Sequence, residues 1–110
     1  MGLDNFWELP EGVPHPNFDP PLNLWGGLFS DHGCQSFRGK MYSTFCDMVM
    51  GINLYDDVIS NQELLTATER LRIWIEQNPD SKLISDQEVS DLYRMFNTYA
   101  NLGATLESWS

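Results

Sequence analysis

Apolar and polar positions change rhythm along this chain. Phe37, Met41, Phe45, Met48 and Val49 recur at steps of three, four and seven residues, the repeat of one helix face. Ser36 precedes the run as an N-cap and Gly51 follows it as a stop, so a helix is expected over 37–50. Gly39, Ser43 and Cys46 form a strip of small side chains beside that face. Glycine inside a helix costs about 1 kcal/mol relative to alanine, so the strip is read as a place where another element comes close to the backbone.

A second helix is expected over 61–77. Ser60 and Glu63 spell a capping box, and Asn78-Pro79 ends the pattern. Its core stripe is Leu64, Ala67, Thr68, Leu71, Trp74 and Ile75. Ile73 falls nearly opposite that stripe and Leu65 at its edge, a pointer to a partner on that side. A third helix is expected over 86–101, opened by Ser85 with Glu88 and closed by Gly103. Val89, Leu92, Tyr93, Phe96, Tyr99 and Ala100 share one of its faces. In the tail after it, Leu106 and Trp109 are expected to dock on the body.

Residues 1–35 show no helical period. They hold five of the six prolines and five of the eight glycines, which break any useful helix. They also carry Phe6, Trp7, Leu9, Phe18, Leu24 and Trp25. Disordered segments lack such aromatics, so an ordered, extended arm anchored by residues such as Trp25 is expected. "FWEL" and "LNLW" each have the make-up of a short strand. The expected fold is therefore a single, mainly α domain over 1–110, three helices with an irregular arm packed across them. The alternative is α+β, with arm segments and "GINLY" forming a small sheet.

Charge narrows the function. The net charge is −10, with −5 in residues 1–35, which contain no Lys or Arg. Nucleic-acid affinity comes mainly from cations on phosphates, so direct nucleic-acid binding is not expected. An acidic surface steers basic proteins instead. Glu8, Glu11 and Asp19 lack local cationic partners and are, with Leu65 and Ile73, the candidate partner-binding residues. In the later helices Glu69 is spaced to pair with Arg72, and Asp91 with Arg94. No run of about 18 apolar residues suits a membrane span. The segment "MGLDNFWELPEG" has no basic flank and no apolar run, and Phe6 stands where N-myristoylation prefers Ser or Thr. A cytoplasmic protein is expected.

Chemistry is sparse. The loop "SDHGCQSFRGK" offers Asp31, His32, Cys34, Arg38 and Lys40. A thiol at a helix N-terminus is acidified, and two cations beside free backbone N–H groups suit an anion. Those five residues are the candidate ligand site. Cys34 and Cys46 lack the close spacing of structural zinc sites, and Asp56-Asp57 lacks the rest of a calcium loop; no metal or cofactor is expected. The leading expectation is a small acidic, non-enzymatic adaptor or inhibitor, in one form an acidic decoy, that binds a protein with a basic surface. A small enzyme or anion-binding module centred on residues 31–40 is one alternative. A subunit that self-associates through the Gly39/Ser43/Cys46 strip or the Leu65/Ile73 side is another.

Overall fold

The computed structural model describes residues 3–18, 22, 24, 28–31, 34–78 and 86–109. Asp19, Trp25, His32 and Ser85, named above, lie outside them. The described chain forms strands β1 (Asp4–Glu8), β2 (Leu28–Asp31) and β3 (Cys34–Phe37). A 3-10 turn (Gly39–Met41), one α turn α1 (Ser43–Phe45) and a π turn (Cys46–Met50) follow in direct succession. Then come β4 (Val58–Ile59), α2 (Asn61–Gln77), α3 (Asp86–Asn101) and β5 (Thr105–Trp109). All strand pairs are antiparallel, and the sheet order is β2-β3-β1-β5-β4.

The expectation of a mainly α domain is thus overturned. A five-stranded sheet backs the helices, and the fold is α+β, as in the alternative. The strands differ in detail from that alternative. "FWEL" supplies most of β1, but the partners of β1 are Cys34–Phe37 and Thr105–Trp109. "GINLY" is not a strand: Ile52 and Leu54 are buried in a connection in which Asn53 Oδ1 accepts the Tyr55 N–H at 3.0 Å, an Asx turn.

β1 is the spine of the sheet. Asn5 and Trp7 point to the core, while Asp4 and Glu8 are exposed, the alternation of a strand with one covered face. Trp7 lies parallel to the Tyr99 ring at 4.4 Å, stacks on Phe37 at 5.9 Å and meets Phe96 edge-on at 5.2 Å. Each such pair adds about 0.5–1.5 kcal/mol beyond area burial. Leu106, opposite Trp7 on β5, and Ile59, opposite Leu106 on β4, continue the buried row.

The segment expected to be one helix over 37–50 starts later and is wound differently. Ser36 is not an N-cap: it pairs with Phe6 inside the sheet, and Phe37 closes β3. A π turn carries one more residue per turn than the α period assumes, so the covered face rotates. Tyr42, Phe45, Cys46 and Met50 are buried, whereas Met41 and Met48 are 49% and 66% exposed. Gly51, at φ 71°, ends the segment.

α2 occupies the span its pattern implies. The Glu63 N–H donates to Ser60 Oγ at 3.2 Å, and that hydroxyl in turn donates to Glu63 Oε1 at 3.0 Å. At the other end the Asn78 backbone and side-chain amides both donate to Trp74 O. Leu64, Ala67, Thr68 and Leu71 are buried, with Trp74 and Ile75 packed at the rim. α3 buries Leu92, Met95, Phe96 and Tyr99 completely; Met95 is an addition to the expected face. The arm runs back over α3, where Phe18 and His15 rest against the Tyr99 ring.

Candidate functional site

The helices cover one face of the sheet. On the other, cross-strand register sets Ser36, Phe6, Glu107 and Val58 in one row across β3, β1, β5 and β4. Glu8 pairs with Thr105 in the next row, and Asp4 with Trp109 on the other side. Asp4 and Glu8 are exposed, Phe6 and Glu107 are half-buried, and Val58 is 54% exposed. Beside β4, Asp56 and Asp57 are exposed as well, and Asp57 O accepts the Ser108 N–H at 3.2 Å. β1, β4 and β5 contain no Lys or Arg. Acids flank an aromatic side chain on this face, and exposed Arg38, one residue past β3, comes next to its Asp4 end. Glu11 is exposed in the turn that follows β1. Of the acids singled out from sequence, the sheet orders Glu8 and leaves Glu11 beyond its end. It adds Asp4 and Glu107; strand alternation in "TLESW" was the signal for the latter.

The 31–40 loop is built differently from the helix entrance that the sequence suggested. Asp31 and Cys34 are cross-strand partners in the β2–β3 hairpin, and His32 lies outside the described residues. No helix begins behind Cys34, so the dipole argument for an acidified thiol lapses. Arg38 and Lys40 are exposed, one just before and one inside a three-residue 3-10 turn. Such a turn lacks the aligned peptide dipoles that an anion-binding helix terminus needs, so the anion site loses its physical basis.

The strip of small residues serves the interior. Gly39 is buried against Leu3 and Asn5, and a Cβ built there collides with Asn5 Oδ1. Asn5 Nδ2 donates to Leu54 O at 2.8 Å, and the Lys40 N–H donates to Leu3 O at 3.4 Å. The element that approaches the strip is therefore β1 of the same chain, which removes Gly39 as a self-association contact. Cys46 is a buried free thiol, and burial pushes its pKa up from 9.0 to about 12. It is a packing residue and no nucleophile at neutral pH.

Sequence reading missed a polar seam along α3. Tyr42 Oη donates to Glu88 Oε2 at 2.7 Å. Asp91, fully buried, accepts from Arg94 Nη1 at 2.9 Å and Gln87 Nε2 at 3.0 Å, and the Arg94 guanidinium lies 5.8 Å from the Phe18 ring centroid. The Asp91–Arg94 spacing was legible; its burial was not. Tyr99 Oη lies 3.4 Å from His15 Nδ1, and burial raises the Tyr99 pKa, so the phenol stays protonated. These groups pin the arm to α3.

Leu65 and Ile73 are 39% and 38% exposed on α2, as their positions off the stripe imply. Among the described residues no group of three or more His, Cys, Asp and Glu side chains is arranged to hold a metal ion, and no helix is long and apolar enough to cross a membrane. Comparison with protein-family models, curated proteins and solved structures gives no match to any of them.

Proposed function

We propose that this protein is a non-enzymatic binding module, an adaptor or inhibitor that engages a protein through a basic surface. The observation that carries this reading is the sheet face away from the helices, where among the described residues Asp4, Glu8 and Glu107 flank a half-buried Phe6 and β1, β4 and β5 hold no cation. Interfaces combine a charged rim that steers encounter with aromatic anchors that hold the complex. Both elements sit here on a rigid sheet. A cytoplasmic setting suits the buried free thiol of Cys46.

The test is kinetic. A partner captured from the native host is measured against the chain carrying Asp4→Asn, Glu8→Gln and Glu107→Gln together. Association is expected to slow by about tenfold at low salt and to lose most of its salt dependence, while dissociation changes little. A partner whose association rate ignores both salt and the triple change would leave the charge as a solubility device.

A further inference from the structure

The segment between β3 and β4 winds in three ways. A 3-10 turn (Gly39–Met41), an α turn (Ser43–Phe45) and the π turn (Cys46–Met50) follow one another. The last change of winding falls at Cys46. Its N–H donates to Tyr42 O at 2.8 Å, the ordinary step of an α-helix. Its own carbonyl is reached one residue later than an α-helix would have it, by the Gly51 N–H, and also accepts the Ile52 N–H at 3.4 Å. Gly51, in the left-handed region at φ 71°, takes up the difference ahead of buried Ile52.

The sequence carries an inward side chain for each kind of winding. In the π turn Met50 stands one turn beyond Phe45, and it is buried. In an α-helix that place belongs to Val49, which shares the apolar repeat with Met41 and Phe45. Val49 is already half-buried against the core, and it lines a cleft of about 240 Å³ with Ile73 and Trp74. Both residues are apolar, while Asp47 and Met48 before them are exposed, so neither winding buries a polar side chain.

We propose that residues 46–50 are a two-state element, in which a minor α winding exchanges Val49 for Met50 at the core. In that state the Cys46 carbonyl takes the Met50 N–H in place of the Gly51 N–H. Met50 turns by about 100°, the step of one α-helical residue, and moves to the rim as Val49 swings inward. The surplus residue passes to Gly51, whose backbone freedom absorbs it. Tyr42, Phe45 and Cys46 lie at or before the change and keep their buried places. Valine fills the space less fully than methionine, which leaves the π winding as the major state. The exchange withdraws Val49 from the cleft beside Trp74 and gives that face of α2 two shapes, whose balance shifts toward whichever one is bound.

Relaxation dispersion at isotope-labelled methionine methyl groups, measured on the whole chain, tests this. The Met50 methyl is expected to exchange on the microsecond-to-millisecond scale of helix register shifts, with a minor state on the order of 1%. Met95, wholly buried on α3, is expected to stay flat. Val49→Leu gives the α winding a larger inward side chain and is expected to raise the minor population about fourfold, the worth of one buried methylene. Deleting Met48 removes the surplus residue and sets Met50 one α turn from Phe45. That shortened chain is expected to keep its far-UV circular dichroism and to lose the exchange. A flat Met50 profile in the parent chain would overturn the proposal. So would dispersion shared by Met50 and Met95 at one rate, the mark of wider unfolding, or a minor population that Val49→Leu leaves unchanged. A shortened chain that fails to fold would overturn it as well, by showing that the π winding is required.

Discussion

Replacing Gly39 with alanine puts a methyl group where Asn5 Oδ1 sits. Asn5 cannot step aside cheaply, because its amide holds Leu54 O and its side chain is buried. Overpacking of this kind costs about 1–3 kcal/mol, so Gly39→Ala is expected to lower the denaturant midpoint by that equivalent without changing the slope. Gly12, also a glycine but with nothing within 4 Å of the place a methyl group would take, is a control that feels only its positive φ of 82°. Cys46 makes a pH prediction. Its folded pKa, about 12, lies above the ordinary 9.0, so the folded chain keeps a proton that the unfolded chain releases. Stability from this site is intact below pH 9.0 and falls by about 1.4 kcal/mol per pH unit on the way to about 12. Denaturant unfolding between pH 9 and 10 is expected to show that slope and Cys46→Ala to lack it there; above pH 10 the buried Tyr99 phenol, also raised, adds a slope that the substitution leaves in place.

Elements differ in how much of them local pattern determines. α2 and α3 were legible because caps, stops and a sustained 3.6-residue period agree with one another. The hairpin β2–β3 was not: Phe37 fits the helical repeat of the residues after it, yet it serves as the inward residue of a strand stacked on Trp7. Pairing with distant residues outweighed a local N-cap signal at Ser36. The π turn was equally hidden, since its extra residue shifts Met48 outward without leaving a mark in composition, while Met41 ends the 3-10 turn ahead of it. β5 carried a true alternating pattern, but five residues after a glycine stop read as a tail. Its weight in the structure is testable. Leu106 is wholly buried between β1 and β4, and Leu106→Ala is expected to cost about 2–5 kcal/mol, seen as a fall in thermal and denaturant midpoints. A loss under half of that would mean the strand adds little to the core. For the candidate sites, charge distribution pointed to the acidic region while adjacency misled. Asp31, Cys34, Arg38 and Lys40 are close in sequence, but they sit on a hairpin and a short turn and not at the helix terminus that was expected.

At the scale of the whole molecule, sixteen acids face six Lys and Arg, and the acids of the sheet face have no cation beside them on β1, β4 or β5. Like charges held at short range oppose the compact state, and salt screens them. The melting temperature is therefore expected to rise as sodium chloride is added from low ionic strength. A flat or falling profile would show that pairs such as Arg72 with Glu69 and Glu76 outweigh the repulsion.

The pairing of β1 with β5 joins residues 4–8 to residues 105–109, and this reaches back to the ribosome. The spine of the sheet is made first and must wait for its neighbour. Chain elongation at about 5–20 residues per second leaves Trp7 without Leu106 for on the order of 5–20 seconds, longer than a helix or hairpin needs to form. During that interval α2 and α3 emerge with their sheet-facing side incomplete. The nascent chain thus presents the β5-facing edge of an aromatic strand to its surroundings on every round of translation until β5 arrives.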